Sequence, residues 1–204
     1  MKPYHHGSLR QALLDAAETV LDRDGIDGLT LRAAAREAGV SHGAPAHHFG
    51  DVHGLLTSLA EEGMRQLHDV TEAAAASTDD PVERLAAIGV AYVELARSHP
   101  AHCQVMFRTD VVDTDNPELQ ATGLRAYGVV ERAVADLLEA EQLDVPLDDA
   151  TWLCWSAMQG LVVLEPKINI INDLKSGHPI STAELVARFT RLIVDGMRGP
   201  GSSQ

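Results

Sequence analysis

Cysteine is scarce: the 204 residues hold two, Cys103 and Cys154, too far apart for a zinc spacing and too few for a disulfide framework. They fit a reducing compartment, where buried thiols act as small apolar groups. Aromatic residues make up only 4%, and no run shows the period-2 alternation of a half-buried strand. No stretch of 18 apolar residues exists, so no membrane-spanning helix is expected. The start, Met1-Lys2-Pro3-Tyr4-His5-His6-Gly7, has no apolar segment of the secretory type and too few histidines for a tag, so the expected location is cytoplasmic. Basic residues are also few: 16 Lys and Arg stand against 30 Asp and Glu, a net charge of −14 with the ten His neutral. Such a chain is a poor candidate for coating nucleic acid or an anionic membrane with its whole surface. A nucleophile elbow, a phosphate-cradling loop and a paired-carboxylate motif are all missing, so neither an enzyme nor a bound cofactor is expected. An all-helical enzyme has only the many histidines in its favour.

What is present begins with an ordinary apolar content of 45%. Length alone predicts one or two domains. A compact chain of this size buries roughly 70% of its unfolded surface, so no disulfide or metal is needed for stability. Charge is split unevenly. Residues 1–50 carry 5 basic and 6 acidic residues, with five of the ten histidines (His5, His6, His42, His47, His48); residues 51–204 carry 11 basic and 24 acidic residues. Only the first quarter can approach a polyanion without strong repulsion, which suggests two jobs in one chain. The expected division is therefore 1–50 and 51–204.

Helical signals run throughout. Ser8 with Gln11 reads as a capping box, followed by Leu9, Leu13, Ala17, Val20 and Leu21 at helical spacing and a stop at Gly25. Thr30 is an N-cap candidate for a helix over 31–38, Gly39 its stop, and Ser41 the cap of a helix over 42–48. Asp51 opens a long helix to about residue 76. Asp80-Pro81, His99-Pro100 and Asn116-Pro117 each place a proline at a helix start, where its missing N–H costs nothing. Further helices are expected over 148–165, with Trp152 and Trp155, and from Ser181, with Glu184 as a second capping box, to about Met197. Residues 200–204 read as a tail. The predicted class is all-α, about nine helices.

Residues 30–50 carry the most specific pattern. Thr30-Leu31-Arg32-Ala33-Ala34-Ala35-Arg36-Glu37-Ala38-Gly39-Val40-Ser41-His42-Gly43-Ala44 spells helix, glycine turn, helix. Ala34, Ala35 and Ala38 are small enough for two helices to cross closely. Gly39 suits the positive φ of a tight turn, and Val40 fills the corner. The first N–H groups of the second helix point outward, where a phosphate can sit, and Gly43 and Ala44 let backbone approach base edges. An ordinary helical hairpin in a bundle fits the spacing as well.

Taken together, Ala12-Leu13-Leu14-Asp15-Ala16-Ala17, Gly25, Thr30, Ala38-Gly39-Val40-Ser41, Gly43, and His48-Phe49 followed by Leu55 resemble the TetR-type transcriptional regulators. The resemblance runs from Tyr4 to about Leu56. It implies a DNA-binding domain, a helical effector-binding domain and a homodimer, more often repressor than activator. Two departures stand out. Pro45-Ala46 replaces the usual Leu-Tyr, and Val52 replaces the usual Lys, so two backbone anchors are lost and the sequence-independent part of DNA binding should weaken. Tyr4 and the histidines of the first quarter are the available substitutes. The resemblance, with the turn pattern, points to Thr30, Arg32, Ser41, His42, Gly43, Ala44, His47 and His48 as DNA-facing. By the resemblance Arg32 can reach a guanine, through a bidentate fork, or a phosphate, with a solvated surface Arg as the plain alternative, and Phe49 is expected in the core.

Farther on, His99-Pro100-Ala101-His102-Cys103-Gln104-Val105-Met106-Phe107, Pro117-Glu118-Leu119 and Trp155 to Gly160 resemble the C-terminal domain of one branch of that family. That branch carries a Trp-x-x-x-His-Gly signature, in which Gln159 here replaces His. Gln159 keeps a donor and an acceptor but cannot titrate. Gly160, in mid-helix, suggests close helix approach or ligand contact, with close packing the favoured reading. Met64, Leu67, Met106, Phe107, Tyr127, Trp155, Met158 and Gln159 are candidates for an effector pocket, and plain core is as good a reading for each. With no Lys or Arg among them, the expected effector is apolar or weakly polar. By the resemblance, the last two helices pair with a second copy through Leu153, Ala157, Leu161, Leu164, Leu185, Phe189, Leu192 and Ile193. The His99-x-x-His102-Cys103 run has metal-binding residue types but no further ligand in sequence, so no metal is expected. The expected function is an effector-responsive repressor that binds a pseudo-palindromic double-stranded operator, away from membranes. The alternative is a helical small-molecule-binding protein whose helix-turn-helix has decayed.

Overall fold

The computed structural model describes the backbone of residues 6–176 and 180–198, and side chains within those spans except residues 6–8, 165, 166, 169, 172 and 176. Tyr4, His5, the ring of His6 and the tail over 200–204 lie outside the described residues. Among the described residues every regular element is helical: α1 (His6–Gly28), α2 (Leu31–Glu37), α3 (Ala44–Phe49), α4 (Val52–Ala75), α5 (Pro81–Ser98), α6 (Pro100–Met106), α7 (Pro117–Ala140), α8 (Leu147–Ser176) and α9 (Thr182–Arg198). The all-α expectation holds.

Local chemistry sets most boundaries. Gly25, at φ 72° and ψ −177°, breaks α1 into two helical pieces where a stop was expected. Thr30 Oγ1 accepts from Ala33 N at 3.0 Å and caps α2. Asp51 Oδ1 does the same for Gly54 N at 2.9 Å, Asp80 Oδ1 for Glu83 N at 2.8 Å, and Ser181 Oγ for Glu184 N at 3.2 Å. Asn116 Oδ1 accepts from both Glu118 N and Leu119 N at the start of α7.

Three boundaries differ from the sequence reading. Helix α1 begins at His6, so Ser8 lies inside it rather than at its cap; Gln11 Nε2 instead donates to Asp15 and Glu62. Helix α3 begins at Ala44, not 42, and its N-cap is Gly43 with no side-chain bond. Ser41 acts through its backbone carbonyl, which accepts from Ala44 N at 3.0 Å. Pro45 is consequently in the first turn of α3, where it costs no helical hydrogen bond. Helix α8 continues past residue 165 to Ser176, through Pro166.

The chain forms two compact units. Unit 1 holds residues 1–65 and 99–123, so α6 and the start of α7 group with the N-terminal helices. In it α1 packs on α2, α3 and α6, and α2 on α3. Its core holds Leu13, Ala17, Val20, Leu21, Ala34, Ala35, Leu55 and Leu59, all essentially without exposure, and Phe49 is buried as expected. Unit 2 holds residues 66–98 and 124–204. There α5 packs on α8 and α9, and α8 on α9. One core cluster gathers Leu85, Val134, Leu137, Ala150, Cys154 and Val194; another gathers Val93, Leu161 and Val186.

Candidate nucleic-acid interface and effector cavity

In unit 1, Ala34 and Ala35 sit fully buried on α2, leaving Arg32 and Arg36 on its exposed side. Helix α2 stops in a two-bond C-terminal cap: Val40 N donates to Ala35 O at 3.0 Å and Gly39 N to Arg36 O at 3.2 Å. This is the Schellman arrangement, and Gly39 takes the left-handed φ of 66° that it needs. The chain then turns over Ser41–Ala44 into α3. Pro45 and Phe49 face inward, while Ala46 and His47 face solvent and His48 is half-buried.

Most of the DNA-facing candidates are exposed. Thr30, Arg32, Ser41, His42, Gly43 and His47 are exposed; Ala44 and His48 are half-buried. Arg32 and Arg36 form no ion pair among the described residues. Thr30 is committed to its capping bond through Oγ1. Helix α3 is held from below: Arg10 lies over the Phe49 ring, 5.4 Å from its centroid, and donates to Ser58 Oγ at 3.0 Å. At the start of α4, Val52 is 38% exposed, so the position of the missing lysine does face solvent.

Unit 2 contains an apolar cavity lined by Leu67, Thr71, Leu85, Ile88, Gly89, Tyr92, Ala126, Val130, Cys154, Trp155, Met158, Thr190 and Ile193. Of the sequence candidates, Leu67, Trp155 and Met158 are in its wall. Gln159 is not in the wall, but its Oε1 accepts a hydrogen bond from the hydroxyl of Tyr92, which is a wall residue. Tyr127 is not in the wall; its ring makes tilted contacts with Trp152 and the wall residue Trp155 at centroid distances of 5.8 and 5.7 Å. Met64, Met106 and Phe107 belong to unit 1, Met64 and Met106 as core, and do not line this cavity. Sequence cannot separate them from wall residues, because large flexible apolar side chains serve core and pocket alike. Thr71, Tyr92 and Thr190 are wall residues that sequence reasoning misses; a lone hydroxyl on a helix gives no periodic signal. No Lys, Arg, Asp or Glu lines the cavity among the described residues. A charged ligand would there be desolvated without a counter-charge. Gly89 lets the Met158 and Val186 side chains pack closely against α5, since a Cβ on it would stand 2.7 Å from Met158 Sδ and 2.9 Å from Val186 Cγ1.

A second apolar feature is the outer face of α8 and α9. Leu153 and Leu164 are exposed, Leu192 is 66% exposed, and Ala157, Leu185, Phe189 and Ile193 are half-buried. Val145, Leu153, Ala157, Phe189, Leu192 and Ile193 line one shallow groove there. Leu161 is 2% exposed, so it serves its own core and offers no surface to a partner. Nothing lies within 4 Å of a Cβ built on Gly160, so it makes no close helix contact among the described residues.

Two family models match. Residues 13–59 match the model described as bacterial regulatory proteins, tetR family, and residues 85–193 match the tetracyclin repressor-like, C-terminal domain. An HTH-type transcriptional regulator BetI from Vibrio atlanticus is 40% identical over 78 residues, 37% of this chain and 39% of that protein. The chain thus spans about two fifths of the length of the curated relatives it matches. A solved structure of a protein of unknown function from Rhodococcus sp. RHA1 superposes with a TM-score of 0.78 at 31% identity, covering 97% of this chain and 99% of that one. The TetR family transcriptional regulator PfmR from Thermus thermophilus shares the fold, with a TM-score of 0.70 at 18% identity, covering 92% and 98%.

Proposed function

The chain belongs to the TetR family of bacterial regulatory proteins, and from that premise we propose that it is a homodimeric transcriptional repressor. Its α2–α3 unit reads a pseudo-palindromic operator, and a small apolar or weakly polar effector releases it. The observation that carries this reading is the exposed strip Arg32, Ser41, His42, Gly43 and His47 on a rigidly capped helix-turn-helix. Helix α3 enters the major groove with Gly43 and Ala44 against the bases, and Arg32 and Arg36 flank it. The neutral cavity of unit 2 supports an uncharged effector. The apolar α8–α9 face supports pairing with a second copy, through Leu153, Ala157, Leu164, Leu185, Phe189, Leu192 and Ile193.

A mobility-shift assay on the DNA upstream of the protein's own gene tests the reading, because many regulators of this kind control adjacent genes. Saturable binding, competed by that DNA and not by unrelated duplex, is the expected result. Pro45, Ala46 and the exposed Val52 favour the second reading, a helical ligand-binding protein with a decayed helix-turn-helix. That reading predicts weak binding with no preference for the upstream sequence.

A further inference from the structure

Three donors converge in unit 1, from elements far apart in sequence. Glu18 Oε1, on α1, stands 3.0 Å from His99 Nδ1 and 3.1 Å from His102 Nδ1. All three atoms lie within 4.8 Å of one another. His99 caps the start of α6 and His102 follows three residues later, so both rings emerge on one side of that helix. Glu18 is the ligand that the sequence alone does not reveal, since 81 positions separate it from His99. The other ring nitrogen of His102, Nε2, is buried without a hydrogen-bond partner and faces Glu62 Oε2 on α4 at 3.8 Å.

We propose that Glu18, His99 and His102 form a site for one divalent transition metal of the zinc class, which ties α1 to α6. The argument is one of lone pairs. If both histidines are neutral and donate from Nδ1 to Glu18, the His102 Nε2 lone pair points at the Glu62 carboxylate, and two electron-rich atoms face each other in a buried place. A cation at the Glu18 end reverses this. Both Nδ1 lone pairs and Oε1 then turn to the metal, the His102 proton moves to Nε2, and it points at Glu62. A carboxylate behind the distal nitrogen of a ligating histidine is the common outer-shell support of such sites. The charges also balance, because Glu18 and Glu62 together match a dication.

The geometry is close to what such an ion needs. Bonds of 2.0–2.1 Å at tetrahedral angles put neighbouring donors roughly 3.3 Å apart, against 3.0 and 3.1 Å for the two Glu18 pairs. The pair of Nδ1 atoms closes by rotation of His99, which is partly exposed, while His102 is fixed at 3% exposure. The open side at His99 and Glu18 leaves a position for water. Two imidazoles and one carboxylate suit zinc, nickel, copper or iron better than magnesium or calcium. This site is separate from the unit 2 cavity and stands whether or not the chain binds DNA.

Equilibrium dialysis of the chelator-stripped full chain against zinc tests the proposal, with cobalt as a spectroscopic reporter. One zinc per chain is expected, with a rise in Tm because only the folded chain presents the site. His99→Gln and Glu18→Gln, both at partly exposed positions, should lower zinc affinity by more than about tenfold and remove the Tm rise; Glu62→Gln should lower it by roughly 10–100-fold. Helical circular dichroism of each variant checks that it is folded. Zinc bound equally well by His99→Gln would place the metal elsewhere, for instance at the His5–His6 pair, and overturn the proposal. No saturable uptake by the wild type would overturn it too.

Discussion

Arg32 is the residue on which sequence specificity rests in this account. It projects from the exposed side of α2 and forms no ion pair among the described residues, so its five donors are available to a groove. Arg32→Ala should cost about 1–3 kcal/mol of operator affinity and relax the preference at one base pair, measured by competition with single-base operator variants. An equal loss on every sequence would assign Arg32 to a phosphate. Cysteine chemistry gives a second prediction. Burial pushes the thiols of Cys103 and Cys154 up to about 11, so the reactive thiolate is nearly absent at neutral pH. Iodoacetamide at pH 7.5 should label both slowly in the native chain and quickly after denaturation; rapid native labelling would contradict their burial. Single residues are legible in the sequence where their role is local. Thr30 reaches Ala33 only three positions away, and Gly39 needs only its own φ. Ser41 is ambiguous because its hydroxyl and its carbonyl can both start a helix, and here the carbonyl does so, not the expected hydroxyl. Glu18 could not be found at all, because nothing in its neighbourhood marks a partner on α6.

Elements are more legible than sites. Capping residues and Pro-led starts place α2, α4 and α9, and the starts of α5, α6 and α7, to within a residue or two. Helix α8 reads short in the sequence because Pro166 normally ends or kinks a helix, yet the backbone continues to Ser176. Helical spacing identifies the face of α8 and α9, but it cannot tell which apolar residues the chain itself covers. Leu161 goes inward against Val93 and Val186, and Leu192 stays outward. In the proposed dimer, Phe189→Asp with Leu192→Asp should bury charge between the copies and give monomers that bind the operator poorly. Sedimentation showing an unchanged dimer would place the interface elsewhere. The junction of α3 and α4 is less forgiving. A Cβ at Gly54 would meet Phe49 O at 2.1 Å, a backbone atom that cannot swing away. Gly54→Ala should therefore lower Tm, whereas Gly160→Ala, with open space around its Cβ, should gain up to about 1 kcal/mol of helix propensity in the isolated chain. Equal thermal shifts for the two would count against this packing.

At the scale of the whole molecule, the uneven charge decides how the protein can meet DNA. A net −14 chain is repelled by a polyanion everywhere except over residues 1–50. Binding should therefore be weak on average and strongly localised. In the proposed reading, with Val52 in place of the lysine that the resemblance implies, part of the phosphate contact falls to the exposed His42 and His47 and the half-buried His48. The central claim is that residues 1–50 read a specific operator in spite of the two missing anchors. Operator binding by fluorescence anisotropy, measured for the wild type and Val52→Lys over a salt series on upstream and unrelated DNA, tests it most directly. Wild type should prefer upstream DNA, and Val52→Lys should bind both DNAs more tightly with a salt slope steeper by up to about one unit. Equal wild-type affinity for the two DNAs at every salt concentration would contradict the account.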